Sequence, residues 1–176
     1  EYCDPVLSDP LDILIPGPPP SPPVCIIGID DATGKYRIVW EKPESEAIQE
    51  YKIYRESNLS DVYLEIGSFD PYDLSVFVDS TSAPDIIPHR YKLGIVDTCG
   101  SESELSAFHQ TMHLTANLSV SKDVNLIWSE YMGIPFQAYV IYRGTHPDSM
   151  NFLLQVPSTG TSFTDADPPT GMIYYQ

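Results

Sequence analysis

Large apolar side chains alternate with polar ones at Tyr36, Ile38 and Trp40, and again at Tyr91, Leu93 and Ile95. A period of two sends every second side chain to one face of an extended chain, so each run predicts a strand with one buried face. Val24 to Ile29 is a short apolar run closed by Asp30-Asp31-Ala32-Thr33-Gly34, whose residue types favour a turn. Tyr51 to Arg55, Tyr63 to Ile66 and Ser75 to Val78 read as further strands, with the Asp70-Pro71-Tyr72-Asp73 turn between the last two. Leu105 to His113 reads as a closing strand, and no stretch carries the period of an amphipathic helix. Seven short strands separated by turn chemistry describe a β-sandwich.

The pattern then repeats. Ile38 to Ser57, IVWEKPESEAIQEYKIYRES, has a second copy in Leu126 to Thr145, LIWSEYMGIPFQAYVIYRGT. Trp40 aligns with Trp128, Tyr51 with Tyr139, Tyr54 with Tyr142 and Arg55 with Arg143, all at an offset of 88 residues. Phe77-Val78-Asp79 matches Phe163-Thr164-Asp165 with the offset shortened by two. A repeat of this length, with its own aromatic framework, is a domain duplication, and about 90 residues suffice to bury a core. The expected organisation is a module at 24–112 and a second at 113–176, C-terminally truncated, since Tyr175 aligns with Tyr91 and no seventh strand follows it. Leu114 to Val120 follows the first module with no Pro/Gly spacer, which predicts a restricted angle between the two. Residues 17–23, Gly-Pro-Pro-Pro-Ser-Pro-Pro, read as a stiff polyproline linker. Residues 1–16 share a Cys and a Leu-Ser pair with Thr98 to Leu114, and read either as the last strand of a preceding repeat or as an unstructured tail. As a strand, residues 1–15 of a neighbouring molecule are a candidate to complete the second sandwich.

A Trp on the second strand, Tyr-x-Ile/Val-x-Arg on the third and Tyr-x-Leu-x-Ile on the sixth together resemble fibronectin type III repeats. The resemblance covers 24–176 and implies tandem seven-stranded antiparallel β-sandwiches of immunoglobulin-like kind, the second incomplete. It gives Trp40 and Trp128 the centre of each sandwich. It gives Tyr91 and Tyr175 a corner hydrogen bond back to the preceding loop. True immunoglobulin domains instead pack a third-strand Trp on a disulfide between strands two and six, and strands two and three here carry no Cys. Ile53-Tyr54-Arg55-Glu56-Ser57, Val78-Asp79-Ser80 and Asp97 to Ser103 are similar to type III modules of large secreted proteins of Bacteroidetes, clients of the type IX secretion route. In a type III sandwich Cys25 and Cys99 would lie at one pole. A bridge there would close a loop of about 75 residues, worth roughly 4 kcal/mol on chain entropy; the alternative is two buried free thiols.

Charge narrows the partners. Nine basic against twenty-five acidic residues give −16, which repels nucleic acid and anionic lipid, and no apolar run is long enough to span a membrane. Candidate chemistry is sparse. His109 and His113 have metal-binding spacing only on a helix, the Cys lack CxxC spacing, and no GxSxG turn is present. The acidic pairs Asp30-Asp31, Asp70/Asp73 and Asp165/Asp167 fit Asx turns better than a calcium loop or a glycosidase pair. Neither a metal nor a cofactor is expected. Tyr63, Tyr72 and Tyr131 fall outside the inward positions and are the candidate ligand-binding rings, suited to stacking on sugar. The leading expectation is a non-catalytic spacer in a secreted or cell-surface protein, whose partners are neighbouring domains of the same polypeptide. The alternative is an adhesive module that binds polysaccharide or matrix protein.

Overall fold

The computed structural model describes residues 17–43 and 48–176. The expected strand at 1–16 and its pairing with another molecule lie outside the described residues.

The first module is a sandwich of three strands on four. One sheet holds β1 (Val24–Ile29), β2 (Tyr36–Trp40) and β5 (Val76–Asp79) in the order β1-β2-β5. The other holds β3 (Ile48–Glu56), β4 (Tyr63–Phe69), β6 (Arg90–Asp97) and β7 (His109–Gln110) in the order β4-β3-β6-β7, and every pairing is antiparallel. The alternating residues do what their period requires. Tyr36, Ile38 and Trp40 meet Tyr51 and Ile53 across the sandwich, and Tyr91, Leu93 and Ile95 are completely buried. Trp40 sits at the centre, 2% exposed, with the Tyr51 and Phe69 rings tilted against it.

Two features depart from simple alternation. A bulge between Val24 and Ile26 inserts a residue into β1, so that both Val24 and Ile27 point inward while Cys25 is only half-buried. The closing strand is also much shorter than Leu105 to His113, because serine hydroxyls replace the backbone carbonyls of its ladder, while the Ser103 and Ser106 amides still donate to Ile95 O and Leu93 O at 2.8 Å. Ser106 Oγ accepts from the Leu93 amide at 2.9 Å and Ser103 Oγ from the Ile95 amide at 3.0 Å. These bonds stitch residues 103–106 to β6 without strand geometry. The Pro-rich segment lies against the same stretch, with Ser21 Oγ donating to Glu104 O at 2.9 Å.

The second module repeats the plan. β8 (Leu114–Leu118), β9 (Val124–Trp128) and β12 (Ser162–Asp165) form one sheet in the order β12-β9-β8. β10 (Ala138–His146), β11 (Ser149–Pro157) and β13 (Tyr174–Tyr175) form the other in the order β11-β10-β13. Val124, Leu126, Trp128, Tyr139 and Ile141 form its core. β13 pairs with β10 only at Arg143 and Gly144, extended by reciprocal backbone bonds between Tyr142 and Gln176. A cavity of ≈ 240 Å³ lies between Leu126, Trp128, Tyr139 and Ile141. Among the described residues the fold is therefore all-β, two antiparallel sandwiches.

Candidate functional site

The repeated residues converge on one arrangement in each module. Arg55 on β3 and Tyr91 on β6 are register partners in the four-stranded sheet, and Asp79 ends β5 in the opposite sheet. Arg55 Nη1 donates to Asp79 Oδ2 at 2.6 Å, and the Tyr91 hydroxyl donates to the same oxygen at 2.8 Å. Oδ1 accepts from the Thr81 amide at 3.0 Å and the Thr81 hydroxyl at 2.7 Å. In the second module Arg143 donates to Asp165 Oδ2 at 2.7 Å and Tyr175 donates to it at 2.8 Å, again with Arg143 and Tyr175 in register. Each clasp ties two sheets together through one carboxylate.

The electrostatics follow from the geometry. Burial pushes the Asp79 carboxyl up, but the bonds from Thr81, Tyr91 and Arg55 outweigh it and hold the group below the ordinary carboxylate value. Asp165 is likewise held down by Arg143 and Tyr175 against its burial. Tyr91 moves upward, first through burial and then through the Asp79 charge, and Tyr175 is pushed up to about 12 by the same causes. A carboxylate with both oxygens occupied and its charge paired is a structural element, not a poised base. The corner bond expected of Tyr91 and Tyr175 exists, but it reaches a carboxylate at the end of a strand rather than the preceding loop.

The junction between modules is the second constructed feature. Gln110 of β7 and Met132 form an antiparallel bridge, with N–H···O distances of 2.7 and 3.2 Å, and Gln110 Nε2 donates to Glu130 O at 2.8 Å. His109, 2% exposed, places Nδ1 3.2 Å from Val24 O and Nε2 2.7 Å from the Tyr131 hydroxyl. Tyr131 also accepts from the Ile27 amide at 3.1 Å. Gly133, at φ 131°, lies flat on the imidazole, where a Cβ would come within 2.4 Å of the ring. The absence of a spacer between the modules thus has a structural correlate in a packed, hydrogen-bonded contact.

Those positions correct part of the sequence reading. Tyr131 is no free loop ring: it packs against Phe136 and the second core and belongs to the junction. Tyr63 lies on β4 opposite Glu56, with Lys92 Nζ 4.5 Å from its ring centroid and its hydroxyl buried. Tyr72 alone stands in solvent, 95% exposed, in the β4–β5 turn. The three rings do not form one surface. Trp40, Tyr91 and Trp128 are core residues as expected, and Tyr175 packs against the second core.

The Cys25–Cys99 bridge is also corrected, because both are free thiols. They share a pole, but Cys25 lies on the β1 sheet and Cys99 in the turn after β6, on the sheet opposite. Asp97 Oδ1 holds that turn, accepting from the amides of Cys99 and Ser101 at 2.9 and 2.8 Å and leaving Cys99 exposed. Burial and the neighbouring Glu41 carboxylate push the Cys25 thiol up.

Among the described residues no group of three or more His, Cys, Asp or Glu is placed to hold a metal ion. The acidic turns behave as Asx turns: Asp30 Oδ2 accepts from the Thr33 amide at 3.0 Å and Asp70 Oδ1 from the Tyr72 amide at 2.8 Å. A cleft of ≈ 680 Å³ beside Arg55, His89 and Arg90 carries cationic side chains, but they are engaged. Arg90 binds Gln110 at 2.8 Å and Glu56 at 3.5 Å and lies over the Phe108 ring.

Topology and clasps define a class, that of tandem β-sandwich chains of fibronectin type III and immunoglobulin-like architecture. No family model and no curated protein matches the sequence. Among solved structures, the FN1–FN3 domains of chicken CNTN1 align at 13% identity and a TM-score of 0.40, covering 90% of this chain and 62% of that one. Pectate lyase Pel3 from Pectobacterium carotovorum aligns at 19% identity and a TM-score of 0.40, covering 48% of this chain and 25% of that one. The chain therefore spans less than two thirds of either protein.

Proposed function

We propose that the two sandwiches are non-catalytic spacer and scaffold modules of a larger secreted or surface-anchored protein, of the kind the Bacteroidetes resemblance implies. The observation that supports this reading is the junction, where Gln110 pairs with Met132 and Tyr131 is seated between His109 and β1. Modules built to transmit position need a defined angle, and this contact supplies one. The polar residues shared by both repeats are consumed in sheet-to-sheet clasps, which suits a mechanical role. Partners on this reading are the neighbouring domains of the same polypeptide.

The test is a binding screen of the folded chain against a glycan array, insoluble polysaccharides and matrix proteins. Absence of saturable binding is expected. A saturable ligand whose binding is lost in Tyr72→Ala would replace the spacer reading with carbohydrate recognition or adhesion, since Tyr72 is the candidate ring that stands free.

A further inference from the structure

We infer that His109 is a pH-sensitive pin in the junction: as a neutral imidazole it locks the two modules at one angle, and its protonation releases them. The hydrogen-bond sequence fixes the protonation state the joint requires. Val24 O can only accept, so His109 Nδ1 carries the hydrogen and Nε2 is the acceptor. The Tyr131 hydroxyl donates to Nε2 and its oxygen accepts from the Ile27 amide. The sequence therefore begins and ends on β1, and passes through one side chain of each module.

Protonation turns Nε2 into a donor. The Tyr131 oxygen then faces two donors, and its own hydrogen is left with Ile27 O at 3.5 Å, beyond ordinary hydrogen-bond length. No ion pair is at hand to compensate. The titratable and charged groups on the surrounding elements are Cys25 on β1, Tyr91 opposite His109 and Arg90 opposite Gln110 on β6, Tyr131 and Glu130 in the module-two loop, and Tyr139 behind Tyr131; Arg90 is turned to the Gln110 side chain and Glu56. Among the described residues none forms an ion pair with His109, whose burial holds its pKa below the free value of 6.5 despite the Val24 bond. Gly133 packs so closely on the ring that an added Cβ would come within 2.4 Å of it.

The sign follows from linkage. The docked state resists a proton that the undocked state accepts, so docking is fully present above about pH 6.5 and weakens as pH falls toward the docked pKa. Each unit of depression weakens docking by up to about tenfold. The proposal concerns the joint itself and stands whether or not the chain is a spacer.

The test uses the whole 176-residue chain, isotope-labelled, between pH 7.5 and 5. Residual dipolar couplings report whether the modules share one alignment tensor, and the His109 Cε1–H shift reports its protonation. The expected result is one tensor at pH 7.5, two at pH 5, and a midpoint coincident with His109 titration below the free-imidazole value. His109→Gln, which donates and accepts but does not titrate, is expected to keep one tensor throughout. Gly133→Ala, whose methyl displaces the ring, is expected to show two tensors already at pH 7.5. A wild-type pair that retains one tensor while His109 titrates overturns the proposal, and so does opening that persists unchanged in His109→Gln. The wild-type titration decides alone if a variant does not fold.

Discussion

At the scale of single residues, Asp79 and Asp165 do the most with the least. One carboxylate in each module holds an arginine and a tyrosine from the opposite sheet. Asp79→Asn removes the charge that Arg55 faces, and is expected to destabilise the first module by about 2–3 kcal/mol in urea unfolding. The pH dependence has a defined sign. A folded pKa held below the ordinary 3.8 contributes stability that is intact above about pH 4 and lost as pH falls through the depressed value. Asp79→Asn should therefore show a shallower loss of stability below pH 4 than the wild type. Cysteine chemistry gives a second expectation. Folded protein treated with a thiol reagent should modify exposed Cys99 first and Cys25 slowly, and peptide mapping of the oxidised protein should find no Cys25–Cys99 linkage. Arg55 and Arg143 were legible in the sequence as a structural pair because they repeat. Their shared partner was not, since Asp79 and Asp165 follow at different spacings, and which sheet each residue joins is settled only by tertiary pairing.

Among elements, the strands were easiest to read where side chains alternate. β2 and β6 lie where Tyr36-Ile38-Trp40 and Tyr91-Leu93-Ile95 place them. Period fails where side chains take over half of the backbone pairing, and for that reason the strand expected at Leu105 to His113 contracts to His109–Gln110. In the sequence Ser103 looks like a loop residue and Ser106 falls inside the expected strand, yet the hydroxyls of both take the place of strand acceptors for β6. Ser106→Ala leaves the buried Leu93 amide without its acceptor, at about 1–3 kcal/mol. Hydrogen exchange should show the Leu93 amide losing protection in that variant, and unchanged protection there would mean the serine is dispensable. Tyr131 was misread for a related reason. It follows a strand, outside any alternation, and only the packing of one module on the other reveals what it touches.

The whole molecule carries a net charge of −16 over two small cores. Its self-repulsion is screened as the Debye length contracts from about 30 Å at 0.01 M salt to about 8 Å at 0.15 M. The urea midpoint is therefore expected to rise across that range, and a flat or falling midpoint would show that specific ion pairs such as Arg55–Asp79 outweigh the global field.

The junction also orders events in time. A chain made from its N-terminus completes β1 and His109 before Tyr131 has been added, so one face of the contact is finished when the other arrives. The first sandwich then acts as a template for the second: Met132 meets a waiting Gln110, and Gly133 meets a ring already in place.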